Sequence, residues 1–171
     1  MKKLFVLALA SLLSVSAFSQ EDAPLHQVKQ LPSVTLKTMD GKTVNMAELG
    51  LKGPIVISFW ATWCAPCKRE LNTINDLYTD WQEDTGVTLV AVSIDDQKTM
   101  QQVPVYVNGK GWEYMVVMDP NWDFKRAMGV NNVPHTFLIN QEGNIVYSHN
   151  NYAPGDEEAL YQEILKLTGK K

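Results

Sequence analysis

The chain has 171 residues, of which 45% are hydrophobic and 20% are charged. This size and composition are typical of one globular domain with a full core, and they exclude a low-complexity chain. The formal net charge is −4 at pH 7. Because nucleic acids and anionic membrane surfaces attract basic proteins, we expect neither of them as a partner.

Residues 1–19 are predicted to be a secretory signal peptide. Two lysines and an apolar run over residues 4–13 precede small residues at the two positions that a signal peptidase recognises. Cleavage before Gln20 removes both lysines and changes the formal net charge from −4 to −6. The alternative is an uncleaved anchor, although the apolar stretch over 4–18 is shorter than the ~20 residues that span a bilayer. We therefore expect export across the inner membrane to the periplasm, and not an integral membrane protein.

Residues 20–32 are a polar lead-in that we expect to be loosely ordered, and residues 33–171 are predicted to form one domain. Seven segments rich in apolar and β-branched residues are predicted strands: 33–38, 42–46, 55–60, 87–94, 113–118, 136–140 and 144–149. Four segments are predicted helices: 66–85, 97–108 with an interruption at Pro104, 122–128, and a terminal helix that Asp156 caps. This order predicts an α/β fold in which a sheet with parallel strands lies between helices.

The two cysteines of the chain stand three positions apart, in Trp63-Cys64-Ala65-Pro66-Cys67, where a predicted strand leads into a predicted helix. The unpaired N–H groups and the macrodipole of a helix start stabilise negative charge, so the Cys64 thiol should ionise more readily than a free thiol. A thiolate is the nucleophile of disulfide exchange. The alternative is a structural disulfide, but closing so short a loop removes little entropy from the unfolded chain. The pattern favours a redox-active pair.

Roles within this motif follow from position. Cys64 is predicted to attack a substrate disulfide, and Cys67 to resolve the mixed disulfide from the first helical turn. Pro66 suits that turn because its φ is already helical. Neither Ala65 nor Pro66 stabilises a thiolate, as a strong oxidant requires, so we expect a reductant. Glu70 is either a partly buried carboxylate that exchanges the Cys67 proton or an acid that faces water near the helix start.

The chain resembles the thioredoxin superfamily in two segments, Phe59-Trp60-Ala61-Thr62-Trp63-Cys64-Ala65-Pro66-Cys67-Lys68 and Val133-Pro134-His135-Thr136-Phe137. The signal peptide, the run Cys-Ala-Pro-Cys-Lys-Arg-Glu and an extra helix and strand between about 95 and 118 are similar to its TlpA/ResA-like branch of extracytoplasmic thiol-disulfide oxidoreductases. Glu70 matches a glutamate of ResA-like proteins, whereas Ser58 stands where cytosolic thioredoxin has a buried aspartate. The resemblance implies a thioredoxin fold, with a mixed sheet flanked by helices, an N-terminal hairpin and a central helix-strand insertion. It also favours proton relay by Glu70.

The same resemblance implies how substrates bind. It implies a cis bond between Val133 and Pro134, which keeps a backbone edge open for substrate pairing beside the cysteines. Trp63 is expected to be an exposed contact surface next to Cys64, and Trp60 a core residue. Implied substrates are protein thiols and disulfides, with no organic cofactor. A membrane thiol reductant is the implied electron donor and apocytochrome c, in cytochrome c maturation, one implied client.

Metal delivery is a competing hypothesis. His135 together with Cys64 and Cys67 offers an imidazole and two sulfurs, which suit copper or zinc. SCO-like copper-binding relatives of the superfamily carry C-x-x-x-C, however, and lack the proline at this place. The other two histidines, His26 and His149, are predicted to be solvated.

Two further alternatives depend on the cysteine environment. Peroxiredoxins share the scaffold but need a threonine where this chain has Ala61. A noncatalytic binding module would be favoured if Cys64 proved buried and unreactive toward alkylating agents.

Overall fold

The computed structural model describes residues 29–49 and 52–170. The predicted signal peptide, most of the lead-in and His26 lie outside the described residues. Within the part of the chain that is described, no helix is both long and apolar enough to cross a bilayer.

One mixed sheet of seven strands organises these described ranges, in the spatial order β2-β1-β5-β4-β3-β6-β7. Its strands are β1 (Thr35–Thr38), β2 (Thr43–Asn45), β3 (Ile55–Trp60), β4 (Thr88–Ser93), β5 (Met115–Met118), β6 (His135–Ile139) and β7 (Ile145–Asn150). Strands β3, β4 and β5 are parallel neighbours. The β1–β2 and β6–β7 hairpins add antiparallel pairs on either side. The predicted mixed sheet and N-terminal hairpin are confirmed.

The helices are α1 (Ala65–Thr85), α2 (Gln102–Lys110), α3 (Asp123–Ala127) and α4 (Asp156–Thr168). Pro104 does not interrupt a helix, because α2 begins at Gln102 and its first-turn N–H groups need no intrahelical partner. The expectation that Asp156 caps α4 is wrong by one position. Gly155 is the N-cap residue, and the Asp156 carboxylate accepts the N–H of Ala153 at 2.7 Å.

Central strand β3 is buried along its whole length, as its apolar sequence predicts for a strand with helices on both faces. Side chains alternate across a strand, so Ser58 and Trp60 share one face and Phe59 lies on the other. The Phe59 ring packs on Phe124 of α3, with 5.4 Å between centroids. The face that carries Ser58 and Trp60 is covered by α1.

The predicted central insertion consists of α2, β5 and the turn between them. Trp112 in that turn packs against Trp60, with ring centroids 4.7 Å apart, and its Nε1 donates to Oδ1 of Asn72 on α1 at 2.9 Å. The Tyr114 hydroxyl donates to the backbone oxygen of Leu71 at 2.9 Å. The insertion thereby braces the helix that begins at the cysteines.

The first described residues lie across the turn between β6 and β7. The Leu31 N–H donates to the Gly143 oxygen, and the Ile145 N–H donates to the Lys29 oxygen, each at 2.9 Å. Gln30 forms an isolated antiparallel bridge with Asn144. Because β3 runs from this end of the sheet toward Cys64, these contacts lie at the end opposite the cysteines.

Candidate active site

Cys64 and Cys67 form a disulfide at the start of α1, with Cα atoms 5.4 Å apart. Cys64 is the N-cap residue, and its Sγ accepts the Cys67 N–H at 3.3 Å. Pro66 lies in the first helical turn, as expected. Cys64 is 5% exposed and Cys67 is fully buried. The sulfur of Cys64 is therefore the accessible one of the two, through a small opening.

The loop before β6 lies against this disulfide. The Val133–Pro134 peptide bond is cis, as the resemblance implies. The backbone oxygen of Val133 lies 3.8 Å from Cys64 Sγ. On the other side of the motif Trp63 is 60% exposed, whereas Trp60 is fully buried. The structure thus places Val133 against Cys64 near the carboxyl end of β3, with Pro134 and Trp63 adjacent to them in the chain.

Asp95 anchors the loop that leads to the cysteines, a contact that the sequence interpretation missed. This fully buried residue lies two positions after Ser93, the last residue of β4. Its carboxylate accepts the Thr62 N–H at 2.8 Å, the Thr62 hydroxyl at 2.5 Å and the Ser93 hydroxyl at 2.9 Å. The available signal was its position, because parallel strands β3 and β4 end side by side. Asp95 therefore fixes the backbone two residues before Cys64.

Glu70 lies between α1 and the sheet and is 1% exposed. The Thr136 hydroxyl donates to Glu70 Oε1 at 2.7 Å and lies 3.0 Å from the Ser58 hydroxyl. Burial raises the pKa of Glu70 from 4.5 to about 7, against the opposing effect of the Thr136 hydrogen bond. The alternative that Glu70 faces water is wrong, since the first turns of α1 aim it at the sheet.

His149 lies beside Glu70, so the prediction that this histidine is solvated is wrong. Sheet register makes Ser58, Thr136 and His149 neighbours across β3, β6 and β7. The His149 side chain is 16% exposed, and its Nε2 lies 3.7 Å from Glu70 Oε1. Burial lowers the pKa of the His149 imidazole. Four polar side chains from three strands and one helix thus form a buried cluster below the disulfide helix.

His135 does not join the cysteines in a metal site, which corrects the metal-delivery hypothesis. It neighbours Thr136 on β6, so it points to the opposite face of the sheet, where its ring stacks on Phe137 with 4.2 Å between centroids. Among the described residues, no three His, Cys, Asp or Glu side chains are grouped closely enough to hold a metal ion. Cys64, Cys67 and His135 therefore do not form the ligand set that this hypothesis needs.

Comparison with known proteins identifies a family and several relatives that this chain is similar to. Residues 28–148 match the AhpC/TSA family. Thiol-disulfide oxidoreductase ResA of Halalkalibacterium halodurans is 31% identical over 140 residues, which cover 81% of this chain and 75% of that protein. ResA of Bacillus thuringiensis is 32% identical over 118 residues, which cover 69% of this chain and 66% of that protein. The solution structure of an uncharacterized thioredoxin-like protein from Porphyromonas gingivalis has a TM-score of 0.73 and 46% identity, and the match covers 81% of this chain and 92% of that one.

Proposed function

The chain belongs to the AhpC/TSA family and, within it, to the thiol-disulfide oxidoreductases of the ResA type, and from this premise we propose that it reduces disulfides of extracytoplasmic proteins. The observation that carries the proposal is the position of Cys64 Sγ. It accepts the Cys67 N–H at a helix start and lies 3.8 Å from the Val133 oxygen. A helix start lowers the pKa of a thiol and so favours the attacking thiolate.

The reaction transfers two electrons from the dithiol to a substrate disulfide. The Cys64 thiolate attacks one substrate sulfur, the substrate S–S bond breaks, and the first substrate thiolate leaves. Cys67 then loses its proton and attacks Cys64 Sγ, so the mixed disulfide breaks and the second substrate thiolate leaves. The products are the Cys64–Cys67 disulfide and a reduced substrate, whose thiolates take up protons.

Glu70 receives the Cys67 proton in this proposal. It lies one helical turn beyond Cys67 and is shielded from water. Because its pKa is about 7, the carboxyl group both accepts and releases a proton near neutral pH, which is the range that suits general acid–base catalysis. The hydrogen bond from Thr136 orients the carboxyl group.

Substrate contacts come from the residues that surround the Cys64 opening. Trp63 offers an exposed aromatic surface. Pro66 shapes the motif between the two sulfurs, and the Val133–Pro134 segment offers backbone to an extended substrate strand. The bound region is thus a protein segment around a disulfide rather than an enclosed small molecule.

The proposed cellular setting is the periplasm. Its support is the leader pattern of residues 1–19, after whose removal the chain remains acidic. Electrons would come from a membrane thiol reductant, and apocytochrome c is one proposed client, as the resemblance to the TlpA/ResA-like branch implies. We therefore propose that both the electron donor and the electron acceptor are proteins.

The reduction potential of the Cys64–Cys67 couple tests the direction. Equilibration with dithiothreitol and glutathione buffers should give a value near that of thioredoxin, about −270 mV. A value near that of a strong periplasmic oxidant, about −120 mV, would reverse the assignment to a disulfide donor.

Trapping tests the assignment of the two cysteines. Cys67→Ser should accumulate a mixed disulfide between Cys64 and an oxidised protein substrate, whereas the matched variant Cys64→Ser should trap none. Iodoacetamide should alkylate Cys64 in the reduced protein. A Cys64 that neither traps substrate nor reacts with iodoacetamide would instead support the noncatalytic binding module.

A further inference from the structure

Glu70 and His149 face each other with buried polar atoms that have no hydrogen-bond partner among the described residues. These atoms are Oε2 of the carboxyl group and both ring nitrogens of the imidazole. Buried polar atoms in folded proteins are nearly always paired, and the exceptions call for an explanation, of which a catalytic role is one. Oε2 of Glu70 and the His149 ring therefore form an under-satisfied polar pair in the described part of the chain.

The geometry of the pair suits proton exchange. Glu70 Oε1 and His149 Nε2 are 3.7 Å apart, so a shift of about 0.5 Å brings them within hydrogen-bond distance. Glu70 comes from α1 and His149 from strand β7, and Thr136 lies between them in the sheet. Glu70 is 1% exposed and the His149 side chain 16%. His149 is therefore the less buried member of the pair, and its exposed part is carbon, since both ring nitrogens are buried.

We propose that His149 is a positioning residue that exchanges a proton with Glu70, so that the Cys67 proton leaves the buried site through Glu70 and His149. The inference rests on the proposed function. As the Cys64–Cys67 bond forms, the Cys67 thiol gives its proton to the Glu70 carboxylate. Glu70 Oε1 then gives this proton to Nε2 of neutral His149, and the imidazolium releases a proton from Nδ1 when a movement of the ring opens that buried atom to water. The substrate disulfide is the oxidant throughout.

The electrostatic surroundings are consistent with this route. Burial lowers the pKa of the His149 imidazole and so favours the neutral ring, which is the form that accepts a proton. The carboxylates of Asp156 and Glu157 raise the pKa of Glu70, and Asp156 opposes the fall in the His149 pKa. The other titratable groups whose pKa values respond to Glu70 or His149 are Tyr114, His135, Tyr147 and Tyr152.

A two-phase kinetic experiment separates the steps. Reduced full-length protein is mixed with 5,5′-dithiobis(2-nitrobenzoate) between about pH 6 and pH 9. The first release of coloured thiolate reports attack by Cys64, and the second reports resolution by Cys67. We expect His149→Asn to slow the second phase about three- to tenfold at neutral pH, less than the 10²-fold or more that a direct general acid–base residue contributes. The first phase should not change.

The matched control is Ser148→Asn, an exposed neighbour on the opposite face of β7, which should leave both phases unchanged. In the Glu70→Gln background, His149→Asn should have no further effect, because the two residues act in series. An equal slowing in both backgrounds, or no slowing at all, would overturn the inference. If the reduced wild-type protein shows no first phase, the proposed function is overturned instead.

A second measurement uses no His149 variant, so its result does not depend on whether that variant folds. In NMR spectra of the histidine-labelled protein, the His149 resonance should sense the ionisation of Glu70 as an inflection near pH 7. This inflection should disappear in Glu70→Gln. A His149 resonance that is insensitive to Glu70 would contradict the proposal.

Discussion

Glu70 on α1 and Thr136 on β6 are 66 positions apart in the chain, and a hydrogen bond of 2.7 Å from the Thr136 hydroxyl to Glu70 Oε1 joins them. This bond fixes an ionisable carboxyl group in the interface between the disulfide helix and the sheet. Protonation of Glu70 is therefore coupled to the stability of the fold as well as to the proposed chemistry.

Glu70→Gln should change how stability depends on pH. The pKa of Glu70 rises from 4.5 to about 7 on folding, so its contribution to stability is fully present below pH 4.5 and is lost as pH rises through about 7. A shift of one pKa unit corresponds to about 1.4 kcal/mol. Between pH 4.5 and pH 8, the free energy of unfolding of Glu70→Gln should therefore increase by about 3 kcal/mol relative to that of wild type. Urea unfolding of both proteins across this range measures the difference, and a difference that does not vary with pH would refute the prediction.

The same variant should alter the pH dependence of thiol exchange. If Glu70 receives the Cys67 proton, Glu70→Gln removes the ionisation near pH 7 from the rate profile of the resolving step. The rate of Cys67 attack, followed against pH in both proteins, checks this. Cysteine titrations that are identical in the two proteins would count against proton relay by Glu70.

Asp95→Ala should loosen the loop before Cys64. The substitution removes three hydrogen bonds and leaves the buried Thr62 N–H without its acceptor, which should reduce the free energy of unfolding by about 2–3 kcal/mol. Disulfide exchange should slow as well. Asp96→Ala is the matched control, because exposed Asp96 accepts hydrogen bonds only within its own turn. Equal effects of the two substitutions on the exchange rate would show that Asp95 does not position the loop.

Trp63→Ala should weaken the reduction of protein substrates without changing the fold. Because Trp63 is 60% exposed, its loss should alter stability by less than about 0.5 kcal/mol. We expect kcat/KM for a disulfide-bonded protein to fall about fivefold, which corresponds to about 1 kcal/mol, and kcat/KM for a small disulfide to stay constant. Val146→Ala, at an exposed apolar residue of β7, is the control. Unchanged kinetics in Trp63→Ala would exclude Trp63 from substrate binding.

Gly53 and Gly109 should respond to alanine in opposite ways. A Cβ atom at Gly53 would collide with the backbone oxygen of Gly86, which ends α1 with a φ of +71°. Gly53→Ala should therefore destabilise the protein by about 1–3 kcal/mol. Gly109 lies within α2 and has open space around it, so Gly109→Ala should stabilise by up to about 1 kcal/mol. Denaturant unfolding of both variants tests this, and destabilisation by Gly109→Ala would contradict it.

Local patterns were sufficient to predict the elements that carry the disulfide. The apolar run of β3 and the helical spacing after Pro66 place Cys64 at a helix start, because both depend on neighbours in the sequence. The sequence did not predict that Asp95 anchors the loop before Cys64, since its partner Thr62 is 33 positions away. Its role depends on two strands ending together, which the residues around Asp95 do not indicate.

His149 shows why the rest of the site could not be predicted. The β6–β7 pairing contains an irregularity at Leu138/Ile139, where Ile139 pairs with Ile145 but Leu138 pairs with Tyr147. Continued without this bulge, the register would set Ser148 beside Thr136 and turn His149 to the other face of the sheet. One extra residue in an edge strand thus decides which side chain meets Glu70.

Lys29–Leu31 are attached across the β6–β7 turn, and this attachment fixes where the chain enters the described domain. Any segment before Lys29 joins the domain at the end of the sheet opposite the disulfide. A protein that docks at the disulfide therefore meets the domain at the end of the sheet farthest from the point where the preceding chain enters.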